Sequence, residues 1–274
     1  MTNKDEKVIK EFGDEWTKFN YETLDEKKLE ENFWQYFNIF PWDKLPQDAV
    51  SFDMGCGSGR WAKFVAPKVH TLNCVEPSNA INVAKKNLRA HENVNFFHET
   101  TEGCSLTPGS QDFGYCLGVL HHIPNTQNAL NDCTKLLKPG APILLYLYYN
   151  FENKPLWFKF IWKVSNNIRR FVSASPKPIK HFICSLIAIA VYFPLSQAAY
   201  LMEKFGFNVN NIPLSDYRKK PFYQSKNDAL DRFGTRLEKR FNKAQITKML
   251  TNAGCTNIEF SPNTPFWCCV GFKK

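Results

Sequence analysis

The sequence predicts an α/β fold: a doubly wound, mostly parallel seven-stranded sheet, finished by a C-terminal antiparallel hairpin and interrupted by a helical insertion. Three observations predict it. Between residues 46 and 150, short apolar runs of strand length alternate with amphipathic stretches of about a dozen residues, the rhythm of βαβ units with helices on both faces. A loop with glycine at every second position, Gly55, Gly57 and Gly59, follows the first of those runs. The closing residues 241–274 read as a helix and then two strands joined by a short turn.

Each element has its own signal. Residues 5–38 are rich in Glu, Lys and aromatic side chains and read as one or two helices with a break near Gly13. PWDKLPQD is a turn-rich linker. AVSFDM is the first strand, GRWAKFVAPK starts a helix, TLNCVEP is the second strand, NAINVAKKNLRAH a helix, and VNFFHE the third strand. DFGYCLGVL is the fourth strand, NTQNALNDCTKLL a helix stopped by KPGA, and PILLYLYYN the fifth strand. The alternation lapses from 151 to about 240 and resumes with NKAQITKMLTNAG, CTNIEFSP and FWCCVGFKK. Four regions follow: an N-terminal helical segment at 1–45 placed to serve as a lid, a Rossmann-like alternating core at 46–150, a helical and loop insertion at 151–240 placed to serve as a cap, and 241–274 completing the sheet.

At 274 residues and 43% hydrophobic, the chain can bury a full core, and 22% charged residues are ordinary for a globular protein. The nine cysteines include no CxxC pair, which argues against zinc and against a disulfide framework. The start, MTNKDEKVIKEF, does not read as a secretion signal. The longest apolar run, Phe182 to Phe193, ends at Pro194, short of the roughly 20 residues of a spanning helix. The expectation is a cytoplasmic protein with no transmembrane segment and no metal. Its charge is uneven: residues 1–150 hold 15 Lys+Arg against 19 Asp+Glu, and residues 151–274 hold 20 against 7, a net +13.

In a parallel α/β sheet, ligands bind beyond the carboxyl ends of the strands, where the strand order reverses. The 55–59 loop stands at such a place. A dinucleotide fingerprint, GxGxxG, would put its third glycine where Arg60 is, which disfavours NAD. A phosphate loop needs Gly-Lys-Ser/Thr where this chain has Gly59-Arg60-Trp61, which disfavours ATP. What remains is acidic-x-Gly-x-Gly-x-Gly. With Glu76 closing the second strand in NCVEPS, the segment DFGYCLGVLHHIP and the turn LLKPGAPILL, the chain resembles the class I S-adenosylmethionine-dependent methyltransferases of small-molecule type.

That resemblance implies S-adenosylmethionine as cofactor and S-adenosylhomocysteine as product. Gly55, Cys56, Gly57 and Gly59 would offer bare backbone to the methionine part, a contact that glycine permits. Asp53 would steer the ammonium group or hold the loop through backbone N–H groups. Glu76 would accept from the ribose hydroxyls. Where the family often has an aspartate against adenine, this sequence has Thr100, so Thr101 or Glu102 takes that role or the loop turns on its own hydroxyls. Leu117 and Gly118 would line the cofactor through backbone atoms, and Cys116 reads as core.

Methyl transfer is an in-line displacement, so the protein mainly aligns two reactants and excludes water. His121 and His122, after strand four, are the best-placed candidates for a base, or one of them orders its loop. Trp16, with Phe19 and Tyr21, either folds over the cofactor as a lid or packs on the sheet. In the insertion, Trp157, Phe160, Ile161, Val164, Ile168 and Phe171 share one helical face, and Lys159, Lys163, Asn166 and Arg170 the other. That helix is either a lid with a solvated basic face or a helix for an anionic bilayer surface. The run IKHFICSLIAIAVYF is expected to pack beneath it. The segments PLSDYRKKPFY and DALDRFGTRLEKRF read as loops, offering Tyr217, Arg218, Tyr223, Asp231 and Arg232 to the substrate or forming an ion-pair web. The expected acceptor is a small or medium molecule methylated on O or N, anionic or lipid- or nucleotide-linked. RNA methylation is the alternative enzyme reading, disfavoured by Leu120-His121-His122-Ile123 in place of an NPPY-like tetrapeptide. A non-catalytic partner or membrane-surface scaffold is the alternative from another class.

Overall fold

A computed structural model describes residues 2–18 and 26–274. The chain forms two compact units, Met1–Asn150 with Leu237–Lys274, and Phe151–Arg236. In chain order the elements begin with α1 (Glu6–Lys18), α2 (Glu26–Phe37), β1 (Val50–Met54), α3 (Ala62–Val65), β2 (Thr71–Val75), α4 (Ala80–Asn87) and β3 (Val94–Phe97). Then come β4 (Phe113–Leu117), α5 (Thr126–Lys135), β5 (Pro142–Tyr146), α6 (Leu156–Ala174), α7 (Lys177–Ile187) and α8 (Phe193–Lys204). The last are α9 (Phe222–Gly234), α10 (Lys243–Asn252), β6 (Cys255–Phe260) and β7 (Cys268–Lys273).

The first unit is built on one seven-stranded sheet in the order β3-β2-β1-β4-β5-β7-β6. β1 to β5 are parallel, and β7 runs antiparallel to both β5 and β6. Because β1 has β2 on one side and β4 on the other, the chain changes direction across the sheet at β1, which opens a crevice beyond the ends of β1 and β4. Strand periodicity divides the core between the two faces. Phe113, Tyr115 and Leu144 point into one apolar layer with Phe33 and Phe37 of α2, while Cys116, Ile143 and Leu145 point into the other with Leu130 of α5 and Leu250 of α10. Cys268 and Cys269, adjacent in sequence, therefore enter opposite layers. Gly114 is the gap that admits the Phe52 ring: a β-carbon there would stand 2.1 Å from Phe52 Cζ.

Two local expectations for this unit are corrected. α1 runs unbroken through Gly13, which is buried and lets the helix approach α4: a β-carbon at Gly13 would lie 3.1 Å from that of Ser78. The helix after the glycine loop is only four residues long, because the chain tightens into a 3-10 turn at Ala66–Lys68 around Pro67. Phe19 and Tyr21 lie outside the described residues.

The second unit is helical. α6 and α7 pack on α9. The stretch DALDRFG, read as a loop, belongs to α9, whose Ala229, Leu230 and Phe233 supply a buried face. The expected stop at Pro194 is also corrected. A π turn at Ala188–Tyr192 carries α7 into α8 with the proline in the first turn, so Lys177–Lys204 is one continuous helix of 28 residues. By length and composition it is sufficient to cross a membrane. The sequence range for the insertion extends to 240; the compact unit ends at Arg236.

Candidate active site

The glycine loop leaves β1 and is tied at once to the end of β2: the N–H groups of Gly55 and Cys56 both donate to the Val75 carbonyl, at 2.8 and 3.2 Å. Gly55, Gly57 and Gly59 have φ of +79°, +55° and +78°, the left-handed region that glycine enters without strain. Space is short as well as conformation. A β-carbon at Gly55 would stand 2.5 Å from Val119, one at Gly59 would stand 2.9 Å from Leu88, and one at Gly57 would stand 3.3 Å from the Trp16 indole. In contrast, a β-carbon at Gly118, at the end of β4, would meet nothing within 4 Å. There is open room there, beside the loop.

Glu76 is buried at the end of β2, and its two oxygens hold the crevice in shape. Oε2 accepts from the Gly57 N–H at 3.0 Å, and Oε1 accepts from the Ser78 N–H at 2.9 Å. A carboxylate has about four acceptor directions, so capacity is left for two hydroxyls. Asp53 is 2% exposed, and its Oδ2 has no hydrogen-bond partner among the described residues. Burial pushes its carboxyl up to about 8; the Tyr115 hydroxyl pulls it back, Glu76 adds to the rise and Arg60 opposes it. A buried acid held short of a counter-charge fits a ligand ammonium. The residues present thus suit S-adenosylmethionine: an acid for its ammonium, bare main chain for its amino-acid part and a carboxylate for its sugar.

The remaining cofactor candidates are placed as follows. Cys56 is buried in the loop, with its thiol held well above the usual range first by its contact with Cys74 and then by burial. Thr101 is buried, while Glu102 is exposed and accepts from the Asn3 N–H at 2.6 Å. The Thr100 hydroxyl donates to the Glu102 carbonyl, a local turn of the kind that Ser and Thr make. Leu117 ends β4, and Cys116 is wholly buried in the core.

Beyond β4 a 3-10 turn, Leu120–His122, carries the two histidines, and they differ sharply. His121 is completely buried, its ring stacked 3.9 Å from Tyr148, with neither nitrogen hydrogen-bonded among the described residues. Burial first, then the neighbouring His122 and Arg240, lowers its pKa well below the ordinary imidazole value, so it stays neutral. Nδ1 of His122 lies 2.6 Å from the Leu237 carbonyl. A carbonyl only accepts, so Nδ1 carries a proton, and in the neutral imidazole the lone pair belongs to Nε2. The Phe12 ring packs against His122 at 4.7 Å.

Sequence reasoning missed the groups that hold this turn. The Lys239 N–H donates to the His121 carbonyl at 3.1 Å, and its ammonium donates to the carbonyls of Ile123, at 3.0 Å, and Pro124. The Arg240 guanidinium lies 5.0 Å over the Tyr148 ring. Tyr115 beside Asp53 and Val119 over Gly55 were missed as well; strand alternation could have found Tyr115, but nothing local marks Lys239, which is more than a hundred residues away in sequence.

Trp16 lies on Gly57 and under the Arg60 guanidinium, 5.0 Å from its ring. The other substrate candidates belong to the second unit. There Tyr217 packs edge-on to Tyr192 at 5.2 Å, and Arg218 pairs with Glu203 at 2.8 Å. Hydrogen bonds from Arg218 and Lys219 hold Glu203 down to about 2. Arg232 lies 5.6 Å over the Trp162 ring, and Tyr223 and Asp231 are half-buried on α9.

Residues 52–145 match the family described as a methyltransferase domain. The chain is 25% identical over 180 residues to the ubiquinone biosynthesis O-methyltransferase of Pectobacterium carotovorum, covering 61% of this chain and 68% of that protein. The protein of that name from Escherichia fergusonii is 31% identical over 94 residues, 33% of this chain, and the match spans only 39% of its length. An O-methyltransferase family protein from Burkholderia thailandensis shares the fold with a TM-score of 0.54 at 11% identity, over 90% of this chain and 57% of that one. Residues 52–145 are thus a methyltransferase domain, and with the glycine loop after β1, the acid at the end of β2 and the antiparallel β7 the chain is similar to the class I S-adenosylmethionine-dependent methyltransferases, whose cofactor its site residues suit.

Proposed function

We propose that the protein methylates a hydroxyl oxygen of a small or medium-sized acceptor that is anionic or lipid- or nucleotide-linked. The observation that carries this reading is the tautomer of His122. S-adenosylmethionine supplies a methyl group already activated by its sulfonium. Asp53, the bare loop and Glu76 hold and orient that donor, and α1 covers the loop through Trp16. An amine nucleophile brings its own lone pair, but a hydroxyl must lose a proton as the new C–O bond forms and the C–S bond breaks. The basic Nε2 of His122, fixed by the Leu237 carbonyl, is suited to take that proton.

Two further features support the acceptor class. The relatives named above are called O-methyltransferases. Residues Phe151–Arg236 hold 14 Lys+Arg against 5 Asp+Glu, a net +9 equal to that of the whole chain, which favours an anionic acceptor. Tyr217, Arg218, Tyr223, Asp231 and Arg232 are the residues of that unit we assign to acceptor recognition. The test is incubation of the protein with methyl-labelled donor and a cell extract, followed by mass spectrometry. A labelled small-molecule methyl ether is the expected product; label only on nitrogen, on a carboxylate or in RNA, or none despite cofactor binding, overturns the assignment.

A further inference from the structure

We propose that the second unit is a membrane-surface module, in which α6 and the outer face of α7–α8 lie in the headgroup region of an anionic bilayer. Nineteen of the twenty exposed large apolar side chains among the described residues belong to Phe151–Arg236. Soluble surfaces carry such side chains singly; a concentration in one small unit marks an interaction surface.

The arrangement on α6 is what a bilayer surface requires. Three sectors run along the helix. Arg169, Val172 and Ser173 are buried, with Arg169 donating to the carbonyls of Thr235 and Arg236 at 2.8 and 3.0 Å. Trp157, Phe160, Ile161, Val164, Ile168 and Phe171 form a second sector, 46–79% exposed. The expected lid would have buried this face; it points outward instead. Lys163 and Arg170, both exposed, edge the third sector. Aromatic and aliphatic side chains flanked by Lys and Arg on one helix are the composition of an interfacial helix.

The long helix adds a second apolar face. Cys184, Ala188, Tyr192, Ser196 and Ala199 are buried on one side, while Phe182, Leu186, Ile189 and Phe193 are exposed on the other, 48–64% for the three besides Leu186. The run that the sequence was expected to bury beneath a lid is thus half outward. Residues 181–202 contain no Asp, Glu, Lys or Arg, and across 156–204 there are seven basic residues and one acidic, Glu203.

Charge and packing choose among the occupants. Two copies meeting through these faces would bring two units of net +9 together and set each basic edge against another. Anionic headgroups neutralise the same edge, at a favourable increment per Lys or Arg near the surface. The long helix is long enough to span, but doing so would strip Tyr192, Ala188 and Ala199 from the packing they already have. Lying in the interface keeps that packing and buries only what is exposed.

Flotation of the full chain with vesicles tests this, using phosphatidylcholine alone and phosphatidylcholine with ~30 mol% phosphatidylglycerol. The expected result is co-flotation with the anionic vesicles at low salt, at least about tenfold weaker on neutral vesicles or at ~1 M salt. The variant Trp157→Ser/Phe160→Ser/Phe171→Ser should bind the anionic vesicles at least about tenfold less, with unchanged circular dichroism and unchanged affinity for S-adenosylhomocysteine. Protein that stays at the bottom with both vesicles overturns the proposal. So does salt-independent binding that resists alkaline carbonate, which means a spanning helix, and so does a concentration-dependent dimer that the triple variant abolishes without any vesicle binding. None of these readouts uses methyl transfer, so a failure here leaves the proposed reaction standing, and the reverse.

Discussion

The indole of Trp16 lies against the bare main chain of Gly57, with ring atoms 3.3 Å from where a β-carbon would stand. One contact thus joins α1 to the glycine loop at Gly57, while Val119 and Leu88 crowd Gly55 and Gly59. The loop is held from both ends and covered in the middle. Its three glycines serve packing against the protein's own side chains as much as approach to the cofactor.

Gly57→Ala therefore carries two penalties, a left-handed φ that alanine tolerates at about 1–2 kcal/mol and a tight approach, 3.3 Å, to an indole that must give way slightly. Trp16→Ala removes the second and leaves the first. Thermal unfolding of the two single variants and the double should show coupling, with Gly57→Ala costing about 0.5–1 kcal/mol less when Trp16 is absent. Additive effects would mean that the indole does not rest on the loop.

Glu76→Ala strands the buried N–H groups of Gly57 and Ser78 together. Leaving two such donors unsatisfied should destabilise the fold by about 2–4 kcal/mol. The affinity for S-adenosylhomocysteine should fall at least tenfold, because the same carboxylate is assigned to the ribose. Glu76→Gln keeps one acceptor and turns an amide N–H₂ towards a donor, so it should fall between. Urea unfolding and titration calorimetry measure the two effects separately.

Much of this unit was legible because its signals are local. The short segments AVSFDM, TLNCV and PILLY, alternating with amphipathic stretches of helical length, read as strands covered on both faces, and the glycine spacing with Glu76 marked the crevice. The parallel run of the first five strands and the antiparallel closing hairpin were legible through the connections between them. Three things were not. Lys239 reaches the His121–Pro124 turn across the whole insertion, and no periodicity reports a contact of that range. The inner face of α6 is marked by Arg169, which the apolar periodicity passes over, because its guanidinium meets two carbonyls that only the fold brings near. The 28-residue helix was hidden by Pro194, which breaks a regular helix but sits without cost in the first turn after a π turn.

The pH dependence should separate Asp53 from His121. Asp53 has a folded pKa of about 8, above its unfolded value near 4, so the native state binds more protons than the unfolded one between those values, and stability falls as pH rises through that window. His121 is shifted the other way. Its folded pKa lies below the unfolded value near 6.5, so its contribution is present above that value and lost as pH falls beneath it. The two slopes oppose below about pH 6.5 and only that of Asp53 remains above it. Urea unfolding between pH 5 and 8 should show Asp53→Asn losing the decline above pH 6.5, and His121→Phe flattening the acid limb.

Cofactor binding should carry the same signature. An ammonium beside Asp53 favours its charged form, so binding releases a proton, and the dissociation constant should fall by up to about tenfold per pH unit as pH rises towards 8. Calorimetry in buffers of different ionisation enthalpy counts that proton. Asp53→Asn should bind more weakly above pH 8 and release none; equal release by wild type and variant would remove Asp53 from the cofactor's ammonium.

His122 and Lys239 can be tested as a unit, with the acceptor found by labelling. His122→Asn keeps a donor for the Leu237 carbonyl but has no basic nitrogen, and should lower kcat by about 10²–10⁴-fold with cofactor affinity unchanged. Lys239→Met leaves the carbonyls of Ile123 and Pro124 without their ammonium donor and loosens the turn that aims His122. Its kcat should fall by about tenfold, less than with the base removed, because the imidazole survives but is held less well. In the His122→Asn background Lys239→Met should cost almost nothing further, since there is no longer a base to aim. Multiplicative losses would show that Lys239 acts on the fold and not through His122, and an unchanged kcat for His122→Asn would show that the acceptor reaches the site without a proton to lose.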